Sequence, residues 1–340
     1  MSQAVTPIPL MELTSGIYSF KALALACDLG LFTELSDGGS TTIADFASRH
    51  DLERRPAELL LTACTSIGLL RLDSQGSYRN TPMSEEFLVQ GKPNYFGGWV
   101  TVVDRHEYPA YEKLADSLRG NHPTTWDPQR QESLFAPDDP VMTEHFWNGM
   151  HSLSAYTAQL LADALDFTNV RTLLDVGGGG AAYDIELCKR YAHLRTTIFD
   201  LPFVCDLTRP RVVEAQLEDR ISFAVGDFFN DTLPSGYDAL LLSNILHDWD
   251  EGDVKKILAT CAAALPKDGL LLICESFVDD AKQGPPLAAL MSLNMLVETW
   301  GRNYTAAEYS AWMREVGLEP QGVTPFEGLG ANGVLVARKL

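Results

Sequence analysis

The nine residues Leu173-Leu174-Asp175-Val176-Gly177-Gly178-Gly179-Gly180-Ala181 constrain this chain more than any other stretch. A continuous apolar run of this length reads as a strand buried on both faces, as in a parallel sheet. The glycines that follow let the backbone turn sharply and approach a ligand, because no Cβ stands in the way. A helix is expected from about Tyr183 to Tyr191. The next acid at a strand end is Asp200, in Thr196-Thr197-Ile198-Phe199-Asp200. It lies about 20 residues on, the interval at which a nucleoside-binding fold places its ribose carboxylate. Asp175 precedes the glycines directly and no regular G-x-G-x-x-G follows, so the pattern points to a nucleoside ligand other than NAD.

Strand and helix then alternate. Strands are expected at Thr172–Val176, Thr196–Asp200, Ile221–Gly226, Ala239–Ser243 and Leu270–Glu275, with helices at about Asp184–Tyr191, Thr208–Gln216 and Asp253–Ala264. Repeated strand-helix-strand units predict a parallel sheet with right-handed crossovers. Two further strands, Gln321–Pro325 and Gly333–Arg338, suit a hairpin at one edge. Ligands in such sheets bind at the carboxyl ends of the strands. Those ends carry Gly177 to Gly179, Asp200, Gly226-Asp227-Phe228-Phe229, Ser243-Asn244-Ile245-Leu246-His247-Asp248-Trp249 and Glu275.

The first third reads differently. Leu10 to Leu35 is helix-forming and apolar on more than one face, through Ile17, Tyr18, Phe20, Leu23, Leu31 and Phe32. So wide a stripe needs cover on several sides, which predicts a second subunit. Helices over Thr42–His50 and Arg54–Gly68, then strands over Leu69–Asp73 and Tyr78–Thr81, make a winged-helix pattern. That pattern raises a DNA-binding regulator as a rival function. Against it, the candidate recognition helix carries Glu53, Arg54, Arg55 and Glu58 and then turns apolar, and the chain's formal net charge is -20. An acidic surface repels phosphate backbones, so no nucleic-acid partner is expected. No signal peptide and no membrane span are read, and six scattered cysteines without a C-x-x-C fit reduced core thiols in a cytoplasmic protein. Asn121–Pro140 is rich in Pro, Asp and Gln and is expected to be mostly loop.

The glycine segment resembles the first motif of the class I methyltransferases, which bind S-adenosylmethionine (SAM). With Leu246-His247-Asp248-Trp249-Asp250, Gly226-Asp227-Phe228-Phe229 and the helix containing Phe146 and Met150, the chain resembles the small-molecule O-methyltransferases of the plant caffeate and bacterial polyketide-tailoring type. The resemblance covers nearly the whole chain. It implies an α/β fold, a Rossmann-like class I methyltransferase domain over 161–340. Ahead of it come a mainly helical winged-helix dimerisation domain over 1–105 and linker helices over 106–160 that line the substrate cavity. It implies SAM as cofactor, S-adenosylhomocysteine (SAH) as product, no metal, a small aromatic substrate and a homodimer.

By position, the resemblance implies that Gly177 contacts the amino-acid part of SAM, Asp200 the ribose, and Asp227 and Phe228 the adenine. Asp175, Gly179, Leu201 and Ser243 join the cofactor set, with Ser243 standing where plant members have a lysine. Phe146, Met150, Asn244, Met291, Asn294 and Met295 fall on the acceptor pocket. His247 falls on the general base and Glu275 on the acid that orients it. Asn303 stands where a second acid is expected, in Gly301-Arg302-Asn303-Tyr304-Thr305. A phenol near pKa ~10 is mostly protonated at neutral pH, and a neutral imidazole within reach can take its proton. Methylation of carbon or nitrogen, or a non-methyl reaction on the same fold, is the alternative.

Overall fold

The computed structural model describes residues 5–127, 135 and 140–340. The chain separates into two compact units, Met1–Arg105 and His106–Leu340, so the helices after residue 105 are part of the second unit. The stretch expected as loop between Asn121 and Pro140 lies largely outside the described residues.

The first unit opens with a helix over Ile8–Asp28. The helical run expected through Leu35 breaks at Gly30, whose φ of 69° is left-handed, and resumes only over Leu31–Glu34. Glycine adopts that backbone without a Cβ penalty, and the reversal carries Leu31 and Phe32 into the core. A helix over Ile43–Arg49 starts where the Thr42 hydroxyl accepts from the Asp45 N–H at 3.2 Å, and a second covers Arg54–Ser66. The strands β1 (Leu70–Leu72) and β2 (Tyr78–Asn80) pair antiparallel and complete the helix-helix-hairpin unit. Phe32, Phe46, Leu61, Cys64 and Tyr78 share its core. The first helix buries only Ala24 and Ala26, while Ile8, Leu10, Met11, Leu13, Ile17 and Tyr18 stay exposed in the single chain.

The second unit is built on β3 (Thr172–Val176), β4 (Arg195–Asp200), β5 (Ile221–Val225), β6 (Ala239–Ser243), β7 (Leu270–Glu275), β8 (Leu318–Pro325) and β9 (Gly333–Lys339). The sheet order is β5-β4-β3-β6-β7-β9-β8. The first five positions are parallel, and β9 and β8 finish the edge as an antiparallel hairpin. β3 lies between β4 and β6 and is buried on both faces. Leu174 and Val176 pack with Leu240, Leu242 and Ile257 on one side, and Leu173 packs with Leu161 and Leu187 on the other. This two-sided burial is the physical reason the strand is written as an unbroken apolar run.

Helices cover the faces at Pro140–Ala164, Ala182–Arg190, Pro202–Glu214 and Glu251–Ala264. Three of them start earlier than periodicity suggests, at Ala182, Pro202 and Glu251, and two of these show why. Pro202 opens one at its first position, where a missing N–H costs nothing, and the Asp250 carboxylate caps the other by accepting from Asp253 N–H at 3.0 Å. The chain runs from β3 outward to β4 and β5, then returns to the opposite side of β3 as β6. That reversal opens a crevice above the ends of β3 and β6, the place where such sheets bind ligands.

Candidate active site

The turn after β3 forms one wall of the crevice. Gly177 and Gly179 have φ of 76° and 50°, and Gly177 N–H donates to the Phe199 carbonyl at 2.8 Å. A Cβ at Gly177 would collide with Ile245 Cδ1, and one at Gly179 would come within 3.2 Å of the Trp147 ring. The Asp200 carboxylate, at the tip of β4, accepts from Gly179 N–H at 2.9 Å and from Leu201 N–H at 2.7 Å. Thr208 Oγ1 donates to the Gly179 carbonyl at 2.6 Å, so the turn is held from both ends of one residue. Burial pushes the Asp200 carboxyl up to about 6 against the pull of the two N–H donors, leaving it mainly ionised at neutral pH.

The other residues of the expected cofactor set are placed as follows. Asp175 is buried, packs against Gly178 and faces Asp184. Burial, followed by the charge of Asp184, holds its carboxyl well above the usual range. Ser243 lies beside the Tyr183 hydroxyl and the Cys274 thiol, which bond each other at 3.8 Å. The Asp227 carboxylate closes its own turn, accepting from Phe229 N–H at 2.9 Å and from Asn230 Nδ2 at 2.6 Å. Phe228 meets Trp249 edge-to-face at 5.9 Å. The residues around the turn fit a nucleoside with a polar tail. The glycines leave a cradle that any Cβ would fill, and among the described residues the buried Trp147 Nε1 and Asn244 Oδ1 have no hydrogen-bond partner.

His247 stands on the short 3-10 turn Leu246–Asp248 beyond β6. Its Nδ1–H donates to Glu275 Oε2 at 2.6 Å, and Asp248 Oδ1 lies 3.6 Å from Nε2. Glu275, buried at the tip of β7, also accepts through Oε1 from Ile245 N–H at 3.1 Å and Leu246 N–H at 2.9 Å. One carboxylate therefore fixes both the turn and the ring upon it. Burial, the largest single influence on the imidazole, favours its neutral form, but Glu275 and Asp248 together outweigh it and raise the ring from 6.5 to about 9. The resting imidazole is protonated at neutral pH. Burial likewise pushes Asp248 up to about 6, against the pull of the imidazole.

Asn303 is arranged differently from a second acid at the ring. Its Nδ2 donates to the Ala288 carbonyl at 3.2 Å, and its backbone N–H donates to Ser292 Oγ at 3.2 Å, tying it to the helix Pro286–Glu298. Asp248 is the second acid beside the imidazole, a role that the adjacency of His247 and Asp248 could have suggested. Gly301 packs so closely on the turn that a Cβ there would overlap the His247 carbonyl oxygen.

The pocket residues lie on two helices. Phe146 and Met150 are one turn apart on Pro140–Ala164, and Phe146 meets Trp147 edge-to-face at 5.4 Å. Met291, Asn294 and Met295 lie on Pro286–Glu298, with Asn294 and Met295 buried. Asn294 Nδ2 donates to the buried Glu107 Oε1 at 2.9 Å, and Glu298 joins the pair. Sequence reasoning missed Glu107 and Glu298; Glu298 follows the apolar run Met295-Leu296-Val297, while Glu107 sits among polar neighbours and gives no such signal. Among the described residues no three His, Cys, Asp or Glu side chains are grouped to hold a metal, and no helix is long and apolar enough to cross a membrane. All six cysteines are free.

This geometry can hold one imidazole in a fixed orientation on the turn beside the glycine segment, and the comparisons with known proteins give the family. An O-methyltransferase domain matches residues 111–319, and an O-methyltransferase dimerisation domain matches residues 11–90. The 3-hydroxy-5-methyl-1-naphthoate 3-O-methyltransferase of Streptomyces sahachiroi is 46% identical over 98% of this chain and 95% of its own. The tetracenomycin polyketide synthesis 8-O-methyl transferase TcmO of Streptomyces glaucescens is 30% identical over 95% of this chain and 94% of its own. The human N-acetylserotonin methyltransferase, in a crystal structure with SAM, superposes with a TM-score of 0.85 at 27% identity, covering 100% of this chain and 99% of that one. The chain belongs to the O-methyltransferase family, as a SAM-dependent methyltransferase with a class I catalytic domain behind a dimerisation domain.

Proposed function

We propose that this enzyme methylates a phenolic hydroxyl of a small aromatic, polyketide-like molecule, with His247 handling the hydroxyl proton. The observation that carries the reading is the 2.6 Å bond between His247 Nδ1 and Glu275, which leaves Nε2 clear of that carboxylate on a turn whose neighbouring Ile245 lies against Gly177. The names of two relatives, a naphthoate and a tetracenomycin O-methyltransferase, support the acceptor class.

SAM supplies a methyl group on a positively charged sulfur, an excellent leaving group, so alignment in a closed site does most of the work. Gly177, Gly179 and Asp200 would hold it, with Asp175, Leu201, Asp227, Phe228 and Ser243 supporting that side. Phe146, Met150, Asn244, Met291, Asn294 and Met295 would shape the acceptor side. His247 accepts the proton at Nε2 when neutral, or faces a phenolate as an imidazolium. The two arrangements contain the same protons and differ only in where one of them sits. Glu275 and Asp248 stabilise the positive charge that the ring carries at the start of one and gains in the other, while Asn303 holds the neighbouring helix in place.

The exposed apolar face of Ile8–Asp28, matched by the dimerisation domain, supports a homodimer. Incubation with SAM and a panel of naphthols, followed by mass and methyl-carbon shift of the product, tests the function. An O-methyl product abolished in His247→Ala is expected. Transfer to carbon or nitrogen, or no transfer by a protein that binds SAM, would overturn the reading.

A further inference from the structure

The end of the glycine turn carries a cation that the proton handling at His247 does not use. Arg211, on the helix Pro202–Glu214, lies against Gly180, where a Cβ would stand 2.5 Å from its Nη1. Its Nη2 donates at 2.7 Å to Asn148 Oδ1, on the helix Pro140–Ala164. The chain has 46 acids against 26 Lys and Arg, yet among the described residues no carboxylate pairs with this guanidinium. Glu214, on its own helix, reaches it by charge alone. Only one of its five N–H donors is engaged among the described residues.

Two neighbours make this place receptive to an anion. The Trp147 ring lies against Gly179, and its buried Nε1–H has no hydrogen-bond partner among the described residues. His151, one turn further along the same helix, donates from Nδ1 to the Gly180 carbonyl at 3.2 Å. Burial, then the charge of Arg211, push its ring down to about 4, so at neutral pH the positive charge here belongs to Arg211. A guanidinium presents paired N–H groups whose fork matches a carboxylate. The amino-acid end of the cofactor, read as lying at Gly177, ends in such a carboxylate.

We propose that Arg211 couples the two substrates: it takes the cofactor's carboxylate beside Gly180 while it stays bonded to Asn148, and so fixes the helix that carries Phe146 and Met150. The carboxylate binds best to a guanidinium held at Gly180, and Asn148 holds it there. Each contact therefore strengthens the other, as linkage requires. Asn148 is the link and not a ligand of the cofactor. Cofactor binding thereby orders the acceptor helix before the acceptor arrives. This rests on the reading of the glycine turn as the cofactor site and adds a connection from that site to the acceptor side.

The test compares SAH with its decarboxylated analogue, S-adenosyl-3-thiopropylamine, by calorimetry and by amide hydrogen exchange, so it needs neither turnover nor a known acceptor. Wild-type protein should bind SAH about tenfold or more tightly than the analogue, the scale of one charge-assisted hydrogen bond. SAH, and not the analogue, should slow exchange over residues 146–153 by about fivefold or more, the lower end of typical coupling between sites. Arg211→Ala should abolish both differences. Arg211→Lys, which keeps the charge without the fork, should keep part of the carboxylate preference and lose the slowed exchange. Asn148→Ala should likewise keep much of the preference and lose the slowed exchange. Equal binding of the two ligands to wild type, or a preference unchanged in both Arg211 variants, overturns the proposal, as does slowed exchange that survives in Asn148→Ala. Asp200→Ala should weaken SAH and the analogue alike. If it weakens neither, the reading of the glycine turn as the cofactor site is refuted; if it weakens both and wild type shows no carboxylate preference, the role of Arg211 alone is refuted.

Discussion

The raised imidazole makes a prediction that depends on the acceptor. His247 is pushed up to about 9 by Glu275 and Asp248, against its burial. At pH 7, two units lower, roughly one ring in a hundred is neutral. With an ordinary phenol of pKa ~10, the reactive complex has one proton fewer than the resting one, whichever partner has lost it. The kcat/KM should therefore climb about tenfold per pH unit from about pH 6 and bend near 9, instead of near the 6.5 of an unperturbed imidazole. A nitrophenol about three units more acidic than ~10 arrives as an anion and meets an imidazolium. Its profile should plateau between about pH 7 and about 9 and then fall as the ring loses its charge. Asp248→Asn removes one of the two stabilising carboxylates, so it should move the bend for the ordinary phenol to lower pH. Stopped-time assays over both acceptors supply the profiles. A bend near 6.5 for both, unmoved by Asp248→Asn, would refute the charge assignment at His247.

Three further outcomes are expected. Asp200→Ala should weaken SAM binding by about tenfold or more in calorimetry, since each lost charge-assisted bond is worth about 1.5–3 kcal/mol, with circular dichroism unchanged. Gly301→Ala should push on the His247 carbonyl and lower kcat while leaving the SAM dissociation constant in place; equal kcat would show that the turn can yield. Light scattering should give twice the chain mass at micromolar concentration, and Ile17→Asp with Tyr18→Asp on the exposed first helix should reduce it to one chain mass.

Much of the sheet was legible because burial writes itself into composition. Thr172–Val176, Ala239–Ser243 and Leu270–Glu275 begin and end where the apolar runs do, since each is a central strand covered on both faces. The exposed edge strand β5 and the helix at Pro202 carry weaker patterns, and their ends were displaced by one to six residues. The helix break at Gly30 was missed because apolar residues continue on both sides of it. Within the site, a strand tip is local information, which is why Asp200, His247 and Glu275 could be named. Asp248 reaches the imidazole through a 3-10 turn whose path depends on bonds from Ile245 and Leu246 to Glu275, nearly thirty residues away. The pairing of Glu107 with Asn294 spans 187 residues and leaves no trace in spacing.

The acids of this crevice also have a collective logic under the proposed reaction. In an acidic chain, Glu275 and Asp248 lie at His247 and Asp200 lies at the glycine turn, on the side proposed to hold a positively charged cofactor. Under the proposed reaction, methyl transfer would discharge the sulfonium and leave an imidazolium at His247, whether the proton starts on the phenol or on the ring. A site that stabilised only the sulfonium would bind the cofactor more tightly than the transition state and slow the transfer. Here two carboxylates lie against the imidazole, at the end of the charge's path, at 2.6 Å and 3.6 Å. Asp200, nearest the turn, is bonded to two backbone N–H groups that spread its charge. The two carboxylates thus lie where positive charge must be held when the reaction finishes, whichever partner carried the proton at the start.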